Sequence, residues 1–195
     1  MEEVASALNS SIAAQVKRLR TRLGLSLDDL ANRSGVSRSM ISLIERAESS
    51  PTAVVLERLS VGLKVPLASL FNAPASETSP LARHADQPVW TDPDSGYTRR
   101  NVSPAAFASP IQIVEVEFPA GARVAYDTAA REPRVYQQIW LRRGRLEIRI
   151  ADDRHSLEAG DCIAMELDRP IMFYNPGRET AHYAVVIASE VGLRR

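Results

Sequence analysis

Residues 27–46, LDDLANRSGVSRSMISLIER, restrict the fold of this chain more than any other stretch. Leu27, Leu30 and Ala31 recur at i, i+3, i+4, the spacing of one helical face. Ser26 stands just before them as an N-cap, and Asp28 and Asp29 fall in the first turn, where negative charge suits the positive end of the helix dipole. Gly35 follows the last periodic residue and supplies the positive φ that ends a helix. Val36 then packs inward, and Ser37 caps a second helix whose buried face is Ile41 and Ile44, with Met40 at its margin. The outward face carries Arg38, Ser39, Ser42, Leu43 and Arg46, a mixed and partly basic surface.

Two short helices joined by a tight turn are what a helix-turn-helix requires. The first lies across a phosphate backbone, and the second enters a major groove about 12 Å wide with its N-terminal residues at the base edges. Arg38 would lead, with two donors for guanine O6 and N7, and Ser39 beside it donates or accepts. A plain capped helical hairpin meets half of this description, so the flanks must decide. The chain as a whole has a formal net charge of zero, yet residues 11–46 hold seven basic side chains against three acidic ones. Such a local excess neutralises phosphates and releases counterions. The expected DNA contacts are Lys17, Arg18, Arg22, Ser26, Ser37, Arg38, Ser39, Ser42, Leu43 and Arg46.

In chain order, residues 1–10 read as a flexible leader. Ile12, Val16, Leu19 and Leu23 give an amphipathic helix over 11–23, stopped by Gly24. After the helix pair, Ser50-Pro51-Thr52 breaks and restarts the chain, and Val55, Leu56, Leu59 and Leu63 define a fourth helix over 53–63. A fifth, 67–71, closes the core with Leu70 and Phe71. Residues 72–88, rich in Ala, Ser and Pro, read as a semi-rigid linker. From Val89 onward short alternating segments replace helices. Strands are expected at 97–102, 111–118, 135–141, 145–150, 162–164, 171–174 and 182–188, separated by Gly, Pro and Asp turns, a pattern of β-sandwiches and barrels.

The run "LR..LGLS...LA..SGVS...IS.IE" with the tail "P....L..L...L.VPL..LF" resembles the DNA-binding domain of the phage-repressor (Cro/C1, or XRE) family over residues 11–71. The resemblance implies a five-helix lambda-repressor-like fold and an ion pair between Arg20 of the first helix and Glu45 at the end of the reading helix. Ala47 stands where the family often has glycine, which implies a slightly different turn there. The later pieces "YQQIWLRRGRLEIRI...HSLEAGDCIAMELDRPIMFYNPG" resemble a cupin over residues 111–188, a double-stranded β-helix or jelly-roll barrel. The implied organisation is an α + β chain: leader 1–10, helix-turn-helix domain 11–72, linker 73–88 and cupin-type sensor and dimerisation domain 89–195.

Metal-binding cupins use two histidines, a glutamate and a further histidine. Here the glutamate position is Gln137, the last histidine position is Ile171, and the region near Gly121 offers Tyr126, Asp127, Thr128 and Ala129. His84, His155 and His182 show no ligand spacing. No metal and no cofactor are expected. A mostly apolar pocket with a few polar groups is expected instead, lined by Tyr126, Gln137, Ile139, Cys162, Ile171, Phe173 and Tyr183. Plain core packing explains the same large side chains at least as well. Cys162, the lone cysteine, excludes an intrachain disulfide and reads as a buried, inert thiol.

The expectation is a bacterial transcription regulator, not an enzyme. It would be a homodimer binding operator DNA, with a small-molecule effector in the barrel. No signal peptide or membrane-spanning run is apparent, so a cytoplasmic location is expected, with the nucleoid when DNA is bound. Two alternatives stay open. Metal-dependent epoxidases of hydroxyalkyl phosphonates join a similar helical domain to a cupin, but need a His/His/Glu iron site. A barrel that only dimerises the DNA-binding domain is the other.

Overall fold

The computed structural model describes residues 2–65, 67–71, 79–104, 107, 109–129 and 134–190. The chain divides into two compact units, one helical and one of β-sheet, with the main break after Leu81. Among the described residues the helical unit has four α-helices: α1 (Glu2–Arg22), α2 (Leu27–Ser34), α3 (Arg38–Glu45) and α4 (Ala53–Gly62). The expected fifth helix, Leu67–Phe71, is a 3-10 turn, so the unit is a four-helix domain. Its Leu70 and Phe71 are nonetheless buried, and Gln15 of α1 donates to the Ser69 carbonyl at 2.8 Å to hold it. Residues 2–10, expected as a flexible leader, are helical, since α1 begins at Glu2. The stretch before Ile12 has no glycine or proline and is rich in good helix formers, so the helix extends past its apolar stripe.

The core of this unit is aliphatic. Ile12, Val16, Leu30, Ile41, Ile44, Leu56 and Leu59 are all essentially inaccessible. Leu23, placed in the buried stripe by its spacing, is instead exposed, and Leu25 takes the inward position. The reason is that α1 has already turned: Gly24 adopts φ 67, and Leu25 N–H closes back on the Arg20 carbonyl at 3.1 Å. Gly62 sets the approach of α4 to α2, since a Cβ there would stand 2.9 Å from Ser34 Cβ.

Among the described residues the β unit has ten strands: β1 (Val89–Thr91), β2 (Thr98–Asn101), β3 (Ile111–Phe118), β4 (Arg123–Tyr126), β5 (Val135–Arg143), β6 (Arg145–Ile150), β7 (Asp153–Glu158), β8 (Cys162–Glu166), β9 (Ile171–Tyr174) and β10 (Ala181–Ser189). They form two antiparallel sheets, ordered β1-β2-β3-β10-β5-β8 and β4-β9-β6-β7. Chain order alternates between the sheets from β3 to β6 and from β7 to β10. That is the double-wound strand order of a jelly roll, so the domain resembles a cupin. β1, β4 and β7 were not expected as strands. β1 has three residues, β4 has four, and β7 is an edge strand on which only Leu157 is buried.

Residues 72–78 of the expected linker lie outside the described residues; within 79–88 a 3-10 turn spans His84–Asp86. The Asn-Pro-Gly turn has a structural task. The Asn175 side chain, fully buried, donates to the carbonyls of Phe118 and Glu179, each at 2.9 Å, and accepts from Gly177 N–H at 2.9 Å. It ties β9 to the end of β3, one strand from each sheet.

Candidate nucleic-acid interface

Each helix of the pair is capped as its sequence requires. Ser26 Oγ accepts from Asp29 N–H at 3.0 Å, while Asp29 accepts from Ser26 N–H at 2.9 Å and from its hydroxyl at 2.7 Å. These bonds, the serine hydroxyl's foremost, hold the Asp29 carboxyl below its ordinary value. Gly35 closes α2 at φ 67, and Ser37 Oγ caps α3 by accepting from Met40 N–H at 3.2 Å. The hydroxyls of Ser26 and Ser37 are therefore already engaged in capping.

Helix α3 is fixed on one side and open on the other. Ile41 and Ile44 are buried; Arg38 and Ser39 are exposed, and Ser42 and Leu43 are half-buried. Arg38 Nε lies 3.3 Å from Asp28 Oδ1, a solvated pair that gives way readily to a stronger acceptor. Arg46 is more committed. It donates to Ser42 Oγ at 2.6 Å and to both Glu48 oxygens at 2.8 Å. Glu48 in turn raises the Arg46 pKa. On α1, Lys17, Arg18 and Arg22 are exposed, and Arg18 is held by two bonds to Gln15 Oε1, at 3.0 and 2.7 Å.

The ion pair implied by the family resemblance is present. Arg20 makes a two-pronged contact with Glu45, Nε to Oε1 at 2.6 Å and Nη2 to Oε2 at 2.8 Å. Its Nη1 donates to the Leu25 carbonyl at 2.8 Å, and the pair is largely buried. The hydrogen bond to Glu45 raises the Arg20 pKa further. Ala47 departs from expectation. The turn after α3 is not altered: Ala47 adopts φ 57, and Glu48 N–H and Ala47 N–H bond the carbonyls of Leu43 and Ile44 at 2.9 Å. That is the Schellman closure usually given to glycine, made here with an alanine.

In the β unit, Ile139, Ile171, Phe173 and Tyr183 are buried between the sheets, with Tyr126 and Gln137 half-buried. Tyr126, Phe173 and Tyr183 come together: the Phe173 ring is 6.0 Å from Tyr126 and 6.5 Å, stacked, from Tyr183. Burial pushes the Tyr183 phenol well above its usual value, Tyr97 adds to this and Arg99 opposes it. Cys162 is not among them. It is exposed and pairs across the strands with exposed Trp140. Strand parity explains the error, because Met165 points in and even-numbered residues of β8 point out.

Sequence reasoning missed the polar side of this interior. Tyr97 OH lies 3.2 Å from Tyr126 OH, and buried Arg99 donates to buried Asn101 at 3.3 Å. Alternation of burial along β2 was the available signal, but in TRRN it cannot say which arginine turns inward. The residues at the metal-ligand positions of a cupin do not fit a metal. Gln137 is a weak neutral donor and Ile171, paired with Tyr126 across β9 and β4, is none. Among the described residues no three His, Cys, Asp or Glu side chains are grouped to hold an ion.

Residues 16–70 match the helix-turn-helix family HTH_3. Residues 16–70 thus carry a helix-turn-helix of the HTH_3 (XRE) type, and the chain as a whole is similar to HTH-type transcriptional regulators. It is SutR-like: it is 27% identical over 191 residues to the HTH-type transcriptional regulator SutR of Escherichia coli (strain K12), covering 96% of this chain and 97% of SutR. It is also 37% identical over 62 residues to the regulator SinR of Bacillus licheniformis, covering 31% of this chain and 56% of SinR. The crystal structure of an HTH_3 family transcriptional regulator from Vibrio cholerae superposes with a TM-score of 0.75 at 28% identity, covering 94% of this chain and 98% of that one.

Proposed function

We propose that this DNA-binding regulator reads an operator with α3, as a homodimer, under the control of a small molecule held in a metal-free barrel. The observation that carries the reading is the two-sidedness of α3. Ile41 and Ile44 fix its inner side, while Arg38 and Ser39, at its N-terminal end, remain exposed. Those are the positions that meet base edges when such a helix enters a major groove. Lys17, Arg18 and Arg22 supply exposed charge for phosphates, and Ser42, Leu43 and Arg46 complete the outward face. Ser26 and Ser37 serve chiefly as caps in this reading.

The domain limits are residues 11–72 for DNA reading and 89–195 for sensing and dimerisation, joined by 73–88. A dimer reads two half-sites about 34–36 Å apart, or a multiple of that. The effector site is the aromatic interior at Tyr126, Phe173 and Tyr183, with Gln137, Ile139 and Ile171 nearby and Tyr97, Arg99 and Asn101 as its polar side. An effector there shifts DNA affinity only through unequal affinity for two arrangements of the dimer. A cytoplasmic location fits, since no helix among the described residues is long and apolar enough to cross a membrane. The epoxidase alternative lacks the donors its iron would need.

The test is selection of bound duplexes from a random pool by the intact chain, by Arg38→Ala and by Ser39→Ala. Loss of preference at one or two base pairs per half-site is the expected result, each worth about 1–3 kcal/mol. Unchanged preference in both variants overturns the assignment of α3.

A further inference from the structure

Four of the large apolar side chains left exposed in the described residues, Ile111, Ile113, Tyr136 and Trp140, share one surface, the outward side of the six-stranded sheet. Cross-strand register places them in rows about β10. Tyr136, Ala188 and Ile111 form one row, Gln138, Val186 and Ile113 the next, and Trp140, Ala184 and Glu115 a third. An apolar patch of this kind on a sheet face marks an interaction site. Its charges on β3 and β5 differ in sign, with Arg100 of β2 set beside Glu115. Beyond the apolar rows, β3 ends in outward Glu115 and Glu117, whereas β5, on the other side of β10, ends in exposed Arg142 and Arg143. Arg142 lies with its guanidinium 4.3 Å from the centre of the Trp140 ring, and Arg100, Glu115, Glu117, His182 and Arg142 line one groove.

We infer that this face docks on the same face of a second copy of the chain, about a two-fold axis running along β10. The inference rests on the reading of the chain as a dimeric regulator, and it names the surface and its geometry. Rotation about that axis keeps each residue at its level along the strands and exchanges the two sides of the sheet. Ile111 and Ile113 of one copy then cover Tyr136 and Gln138 of the other, Glu115 meets Trp140 with the Arg142 guanidinium stacked on it, and Glu117 meets the Arg142–Arg143 end of β5, twice. A two-fold axis across the strands would instead lay Glu117 of each copy over Ile111 of the other, leaving the acid desolvated without a partner. The charges therefore select the axis. Four strands about 4.8 Å apart and eight residues long at about 3.3 Å each present on the order of 500 Å2 per copy, so two copies bury about 1,000 Å2, about the least a specific interface needs and less than most stable dimers bury.

The experiment uses two singly substituted full-length chains, Glu117→Arg and Arg142→Glu, with molar mass read by light scattering and fold by circular dichroism. A Glu117→Arg pair sets arginine against arginine, and an Arg142→Glu pair sets glutamate against glutamate. Each alone is expected to dissociate at least about tenfold more readily than the unsubstituted dimer. Mixed, the two restore both contacts and form a one-to-one heterodimer. Single variants as dimeric as the parent overturn the proposed face and leave the dimeric regulator standing. Monomeric variants that fail to pair on mixing overturn the axis. A parent chain that is monomeric at tens of micromolar overturns the dimer itself, whereas base selection by α3 is read separately by the duplex pool. Should either variant lose the β signal, Ile111→Lys, at a half-exposed position, asks the same question: a folded Ile111→Lys chain that stays dimeric refutes the face.

Discussion

Ala47→Gly should stabilise the helical domain. Ala47 closes α3 at φ 57, in the left-handed region, and its hydrogen bonds to the carbonyl of Ile44 and from Glu48 to that of Leu43 are of good length at 2.9 Å. The backbone arrangement is thus sound, and what it carries is the clash of a Cβ with the following carbonyl, about 1–2 kcal/mol. Glycine removes that clash but loses more freedom on folding, which takes back about 0.4–1 kcal/mol. The net gain is about 0.5–1 kcal/mol, or about 2–8 °C in the midpoint of a domain of this size unfolding on its own. The reciprocal substitution is Gly35→Ala. Gly35 has φ 67 with nothing within 4 Å of where its Cβ would be, so only the conformational cost applies and the sign reverses. Thermal unfolding followed by circular dichroism on the full chain measures both. If Gly35→Ala lowers the helical transition while Ala47→Gly leaves it unchanged or lowers it, the left-handed cost is not stored at Ala47 and the reasoning fails.

Two further outcomes follow from bonds described above. Asn175→Ala strips donors from two carbonyls beside a buried side chain and should cost the β domain about 2–4 kcal/mol, read by urea denaturation; a loss below about 0.5 kcal/mol would show that water replaces the amide. Acid should weaken the helical domain. Asp29 is held below its ordinary pKa by Ser26, and Glu48 by Arg46, so both bind protons more readily unfolded than folded. Their contribution is complete above the unfolded carboxylate values and fades as pH falls through the folded ones. A helical midpoint that is flat near pH 6 and declines below about pH 4 is expected. A midpoint rising between pH 5 and pH 3 would contradict it.

How much of this was legible in the sequence depended on whether residue type tracked burial. The helix pair was readable because caps, glycine and aliphatic spacing agree at Ser26, Gly35, Ser37, Ile41 and Ile44. Helix α1 was read short because only its later part shows an apolar stripe. Strand β3 was read to the residue, since Val114, Val116 and Phe118 alternate with exposed acids. Strand β7, DRHSLE, was invisible because an edge strand outside the core needs little apolar sequence. The interior of the barrel was half legible. Its aromatic residues announced themselves, but Arg99 and Asn101 are polar types turned inward, and Cys162 is an apolar type turned outward. In each of those the strand's parity decided, and residue type misled.

The three-way grip of Arg20 has a consequence for how such a molecule is governed. One guanidinium clasps the far end of the reading helix and the bend that follows α1, and the clasp is sheltered from solvent. Within a single head, then, the end of α3 and the bend after α1 are held by one side chain. In the proposed reading, a signal arising outside the head would act on the distance and angle at which a whole head is offered to the next half-site.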